Sequence, residues 1–278
     1  MLVWDDADLS DSFDTLRRTF DTAADLYDAA RPAYPNELFD DLVALAELEP
    51  GARLLEIGCA TGKATRPLLE RGFSIDCVEL GEQLAAHARR NLAGYPVEIH
   101  VGAFEAFQAE AESFDLVYAA TAWHWLEVPI RYNKAHQLLR PRGHLAFWSA
   151  RHAFPPDFDP FFTEIQQVYD AIGESYDGEW PPAPPDQVPD DREEIEASGL
   201  FEDVNISRYL WEKSYSAEEY IALLSTFSGH ISMESWKRER LYGEIRQRIG
   251  QLPDQRLRRH WSAILHVARR AAGFRWDE

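Results

Sequence analysis

The sequence predicts an α/β fold: a doubly wound, mostly parallel sheet with helices on both faces. Three observations predict it. Apolar runs of strand length alternate with helical stretches from residue 52 to residue 150. Those runs are nearly continuous, which marks strands covered on both faces. The first run ends in a glycine turn, GCATG (58–62), that opens a helix. Right-handed crossovers wind such units to both sides of a sheet.

The elements follow in chain order. Phe13, Leu16, Phe20, Ala24 and Tyr27 recur at three-and-four spacing, which predicts an amphipathic helix over 11–30. ARPAYP (30–35) interrupts it, because Pro32 and Pro35 cannot sit inside a helix. Asn36 then caps a second helix with Leu38, Phe39, Leu42, Val43 and Leu45 along its buried side, and EPG (49–51) ends it. Strands are expected at 52–58, 73–80, 96–101, 114–120 and 144–150. Helices are expected at Gly62 to Arg71, Glu82 to Leu92 and about 129–139, with RPRG a turn. After 151 the texture changes. A helix is expected at about 159–172, then a proline-rich acidic loop at 178–191. A strand follows within 199–216, placed at 202–214, then two or three helices across 217–258 and a last strand at 260–270. The sum is a seven-stranded sheet. The expected organisation is an N-terminal helical lid (1–50), a core (51–150), a partly helical substrate cap (151–258), and a last core strand with a tail (259–278).

Composition narrows the partners. The formal net charge is −20, from 48 acidic against 28 basic residues. Such a surface repels nucleic-acid phosphates and anionic membranes, which leaves a small molecule as the expected partner. Cys59 and Cys77 are the only cysteines, so reduced thiols in a cytoplasmic setting are expected, both as small core residues. The start, MLVWDDADLSD, lacks the basic and apolar regions of a signal peptide. No 18-residue apolar run exists, so no membrane span is expected. The nine histidines make no metal-ligand spacing, and no metal is expected. The chain is expected as a monomer or homodimer.

The glycine turn fits neither familiar phosphate cradle. A phosphate loop needs four residues between its glycine and Gly-Lys, then a hydroxyl residue. Here three residues separate Gly58 from Gly62, and Ala64 follows Lys63. A dinucleotide fingerprint needs a third glycine where Lys63 stands. Two carboxylates say more. Glu56 lies at the carboxyl end of the first strand, where parallel sheets bind ligands. It suits a cationic group and would repel a pyrophosphate. Glu79 lies 23 positions later, at the end of the second strand, where an acid accepts hydrogen bonds from ribose hydroxyls. The pair asks for a nucleoside with a ribose, a cationic end and no phosphate.

Glu-x-Gly-x-x-x-Gly at 56–62 with Glu79 resembles the class I S-adenosylmethionine-dependent methyltransferases, which are Rossmann-like. FDLVYAATAWHWL (114–126), LLRPRGHLAFW (138–148) and YDAARPAYP (27–35) resemble motifs of their small-molecule branch. The resemblance covers residues 20–150 well and 200–270 in outline. It implies S-adenosyl-L-methionine as cofactor. Glu56 would face its amino group, Gly58 and Gly62 would let the backbone close on it, Glu79 would take the ribose, and Leu80 would lie against the adenine. Ala60 replaces the usual middle glycine. Ala103 stands where many members have an aspartate for the adenine amino group, which shifts that contact toward Phe104.

Further candidates sit at the same edge or in the lid. Thr121, Trp123, His124 and Trp125 follow the fourth strand; Thr121 is a cofactor candidate, Trp123 and His124 line the expected substrate pocket, and His124 is the candidate base. Packing is the competing role for Trp123 and Trp125, and a satisfied polar residue is the competing role for His124. Tyr27, Arg31 and Tyr34 form the lid candidate. Tyr27 and Arg31 are expected at the cofactor, with Arg31 forking onto its carboxylate, and Tyr34 at the substrate. In the aromatic-rich cap, His152 is the expected pocket residue, with Arg151 and His230 beside it as polar candidates. The expected activity is methyl transfer to a small-molecule acceptor by in-line displacement. The alternatives are a non-catalytic S-adenosylmethionine-binding module and a nicotinamide-dependent oxidoreductase.

Overall fold

A computed structural model describes residues 21 and 24–272. The helix expected over 11–30 is present as α1, Ala24–Ala30, and its Phe13, Leu16 and Phe20 lie outside the described residues. Pro35 has the fixed backbone that starts α2, Asn36–Leu45, with φ −61° and ψ 143°. Asn36 is therefore the first helical residue and not the cap, and no side chain caps this helix. Leu38, Phe39 and Leu42 form its buried side.

Next come β1 (Arg53–Ile57), α3 (Thr65–Glu70), β2 (Ser74–Glu79), α4 (Glu82–Asn91), β3 (Val97–Val101), β4 (Phe114–Ala120), α5 (Val128–Leu138) and β5 (Leu139–Trp148). Helix α3 starts three residues later than expected, because Gly62 at φ +90° is left-handed and cannot be its first turn. RPRG is part of β5 and not a separate turn. Arg142 at φ 68° and a register shift between Phe114 and Leu116 place an irregularity there, which a glycine-and-proline signal mimics. The rest of the chain adds β6 (Ala150–Ala153), α6 (Phe161–Glu164), α7 (Gln166–Ala171), α8 (Arg192–Ala197), β7 (Phe201–Tyr215), α9 (Ala217–Leu224), α10 (Ser228–Ser232), α11 (Ser235–Gly250) and β8 (Leu257–Arg270).

The sheet has eight strands in the order β3-β2-β1-β4-β5-β8-β6, with β7 paired to β8. The expected count of seven is one short. β6 begins two residues after β5 ends and runs into Pro155–Pro156, so it reads as loop. The pairs β3-β2, β2-β1, β1-β4 and β4-β5 are parallel, and β5-β8 is antiparallel. The short α8 is a second element beyond the sequence reading, since it follows the proline-rich loop directly.

The chain divides into two compact units. One holds Ala33–Ala150, Pro189–Tyr209 and the segment from Ala263. It contains β1 to β5, and its core includes Leu55, Ile57, Val117, Phe147, Phe201 and Ala268. The other holds the described residues up to Pro32, with Arg151–Val188 and Leu210–Ser262. It is mostly helical and packed with aromatic rings, among them Phe154 on Trp180 at 5.1 Å and Phe161 on Tyr220 at 5.9 Å. A capping box fixes the start of α9. Ser216 accepts from the Glu219 N–H, and the Glu219 side chain accepts from the Ser216 N–H. No helix of the described residues is long and apolar enough to cross a membrane.

Within the sheet unit, Trp148 at the end of β5 is fully buried. Its ring stacks on Tyr118 at 5.9 Å and 2°, and meets Tyr34 and Phe39 edge-on at 5.7 and 6.0 Å. Trp148→Ala is expected to cost about 3–5 kcal/mol, measured by urea unfolding. A loss below about 1 kcal/mol would mean that these rings do not support one another.

Candidate functional site

The site is built at the carboxyl edge of β1, β2 and β4. Parallel register sets Glu56 beside Cys77 of β2 and Tyr118 of β4. Registered neighbours share a face, and Glu79 lies two residues beyond Cys77 on that same face. Strand pairing alone therefore brings Glu56, Cys77, Glu79 and Tyr118 to one face.

Glu56 is 1% exposed. Its Oε2 accepts from the Tyr118 hydroxyl at 2.7 Å, while its Oε1 has no hydrogen-bond partner. Burial raises its pKa from 4.5 to about 7, and the Thr65 hydroxyl and then the Tyr118 hydrogen bond oppose the shift only in part. A buried carboxylate oxygen without a partner is costly, so its place at a ligand edge calls for an explanation. Tyr118 is the neighbour that the sequence reading missed. It hides in an apolar strand, and only the register of β1 on β4 brings it to Glu56.

Glu79 is also buried. Its Oε2 accepts from the Ala60 N–H and its Oε1 from the Gly81 N–H, both at 2.8 Å. One carboxylate thus holds the turn after β1 and the turn after β2.

The turn itself is left-handed at three places. Gly58 has φ +69°, Ala60 φ 47° and Gly62 φ +90°. A Cβ on Gly58 would lie 2.6 Å from the Ala122 Cβ, and one on Gly62 would lie 2.9 Å from the Leu92 side chain. The glycines are therefore required by protein packing before any ligand is considered. Ala60 occupies the left-handed region at a cost of about 1 kcal/mol, and its N–H bond to Glu79 holds it there.

The remaining candidates fall into three groups. Thr121, at φ 58°, accepts from the Ala150 N–H at 3.1 Å and shares a 2.8 Å hydroxyl hydrogen bond with Tyr34. Leu80 and Ala103 are half-buried after β2 and β3, whereas the Phe104 ring is in the core with the Lys134 ammonium 5.3 Å from its centre. Trp123 also belongs to the core, stacked on Phe147 at 5.1 Å, and only His124 and Trp125 of its turn remain half-buried. His152, Tyr27 and Arg31 belong to the helical unit. There Arg31 donates to the Thr226 hydroxyl at 2.8 Å and to its carbonyl at 2.9 Å, and lies over Tyr27 and Phe227. His230 is held between Tyr169 and Tyr242, and burial lowers its pKa to about 3.

The two thiols are buried neighbours. A hydrogen bond to Cys77 and then burial push the Cys59 pKa well above its ordinary value, so it stays a thiol. Asp76, Glu98 and His100 bring ligand atoms within 4.8 Å of one another across β2 and β3, but Asp76 is already paired with Arg53.

The chain resembles known methyltransferases in sequence and in fold. Residues 55–147 match the model of a methyltransferase domain. An uncharacterized methyltransferase of Mycobacterium tuberculosis is 32% identical over 135 residues, 48% of this chain and 53% of its own length. The chain thus spans about half the length of that relative. An uncharacterized methyltransferase of Schizosaccharomyces pombe is 24% identical over 238 residues, 85% of this chain and 89% of its own. Among solved structures, a candidate type II methyltransferase from Anaeromyxobacter dehalogenans has a TM-score of 0.60 at 21% identity, covering 86% of this chain and 97% of that one. Phosphoethanolamine N-methyltransferase 2 of Haemonchus contortus, in complex with S-adenosyl-L-methionine, has a TM-score of 0.53 at 16% identity, covering 94% of this chain and 60% of that one. These two likenesses show the fold.

The buried Glu56 gives the protein a measurable pH dependence. Between pH 4.5 and about 7 the folded state holds a proton that the unfolded state has released. Stability therefore falls as pH rises through that window, by roughly 2–3 kcal/mol from this group. Glu56→Gln should remove that slope, so the variant gains on the wild type between pH 5 and pH 8 in urea unfolding. Parallel pH profiles would show that Glu56 is not the group responsible.

Proposed function

We propose that this chain, a member of the class I S-adenosylmethionine-dependent methyltransferases of the small-molecule type, binds S-adenosyl-L-methionine at the edge of β1, β2 and β4 and methylates a small-molecule acceptor. One observation carries the reading: two buried carboxylates flank a left-handed glycine turn, and one of them has an oxygen without a partner. That pair of acceptors suits a nucleoside whose other end is cationic, and it opposes a pyrophosphate.

The residues fit the cofactor in named roles. Glu79 would accept the ribose hydroxyls on lone pairs left over from the Ala60 and Gly81 N–H groups. Glu56 would meet the amino group, directly or through water. Leu80 and the backbone at Ala103 and Phe104 would border the adenine. Thr121, fixed by Tyr34 and Ala150, would shape the far wall after β4. Bound there, the cofactor supplies a methyl group activated by a sulfonium. The chain then has to align the acceptor with that methyl group and exclude water. His124, in the turn after β4, is the proton acceptor for an amine or phenol, and a carboxylate acceptor needs none.

Calorimetry against S-adenosylhomocysteine, NAD and ATP tests the reading. S-adenosylhomocysteine alone should bind. Binding of only NAD or ATP would replace the reading with an oxidoreductase or a nucleotidase, and cofactor binding without methyl transfer to any acceptor would leave a binding module. Glu79→Ala should weaken S-adenosylhomocysteine by about 1–3 kcal/mol through loss of charged hydrogen bonds. Unchanged affinity in a folded variant would remove the ribose assignment.

A further inference from the structure

We infer that the helical unit carries a binding site for an organic carboxylate, built on Arg259 and Arg31 around the ring of Phe227. Arg259 is 4% exposed, and its guanidinium carbon lies 4.2 Å from the centre of Trp261, 5.6 Å from Phe227 and 5.9 Å from Tyr220. Its Nε has no hydrogen-bond partner. The Arg31 guanidinium carbon lies 4.2 Å from the same Phe227 ring. Neither arginine makes an ion pair with an acidic group among the described residues. Two cations thus share one aromatic ring in a low-dielectric setting.

The rest of the unit makes this unusual. Arg258, next in sequence, reaches Asp157 at 3.3 Å and Glu212 at 3.6 Å. Arg246, Arg248 and Arg256 pair with Glu218, Glu164 and Glu219. The chain has 48 acidic residues against 28 basic ones, so acids for pairing are plentiful. Arg259 is deeply buried and, among the described residues, has no carboxylate partner. A buried charge without a counter-charge is costly, and ring faces offset only part of that cost. A ligand anion supplies what the fold withholds.

The geometry favours a carboxylate. A guanidinium fork matches its two oxygens, and apolar ring walls suit the organic body behind them. His152 adds a neutral donor. Burial and then the Arg259 charge push its pKa well below the ordinary value, and its Nε2 has no hydrogen-bond partner. A phosphate dianion would need more donors than this wall presents. The inference goes beyond methyl transfer and rests on the helical unit alone.

Titrating the full chain with benzoate, succinate and inorganic phosphate in a constant chloride background tests it, read by tryptophan fluorescence and by melting temperature. Saturable binding of at least one carboxylate, stronger than phosphate, is expected. Arg259→Met should weaken it at least tenfold while leaving the melting temperature equal or higher, because a buried charge is removed. Arg259→Lys keeps the charge but loses the fork, and should weaken binding as well. If Arg259→Met does not fold, Arg31→Met provides the reading, with a several-fold loss expected. No saturable carboxylate binding, a preference for phosphate, or unchanged affinity in the folded variants would overturn the inference.

Discussion

The carboxylate of Glu79 is the constraint on which the site depends. It takes one N–H from the turn after β1 and one from the turn after β2. Charged hydrogen bonds of this kind are worth roughly twice neutral ones. They fix Ala60 in a left-handed backbone that its side chain resists. With Ala60 held, Gly58 and Gly62 can press against Ala122 and Leu92 without a Cβ between them. The edge of the sheet is thus shaped by the same group that is proposed to accept hydrogen bonds from a ribose. Fold and recognition draw on one side chain.

Both units keep a buried ionisable group whose counter-charge the fold does not provide. In the sheet unit it is Glu56, satisfied on one oxygen by Tyr118 and open on the other. In the helical unit it is Arg259, surrounded by ring faces and without a carboxylate. Each is a stability cost that burial alone would have removed by substitution with an apolar residue. Groups kept at such a cost are candidates for ligand contact.

The alternation of strands and helices from β1 to β5 was legible because parallel strands buried on both faces leave unbroken apolar runs. Glu56 and Glu79 were legible because acids are rare inside such runs. What escaped the sequence depended on pairing. Tyr118 becomes a neighbour of Glu56 only through the register of β1 on β4. The eighth strand, β6, was masked by the prolines that follow it. The Phe104 ring, expected near the adenine, packs in the core, and Trp123 takes the packing role that competed with a pocket role. Arg31 was matched to a lid motif, and the structure gives its guanidinium to Thr226 and Phe227. Sequence spacing finds what lies along one strand, whereas contacts between distant segments need coordinates.

The central claim is that buried Glu56 awaits a cationic ligand group. Proton release on binding measures this most directly. Calorimetry of S-adenosylhomocysteine near pH 7, repeated in buffers of different ionisation enthalpy, gives the number of protons exchanged. Glu56, with its pKa at about 7, is half protonated there and must ionise to meet an ammonium. The account predicts release of roughly half a proton in the wild type and none from this group in Glu56→Gln. Binding without proton release, or equal release in both proteins, would contradict it.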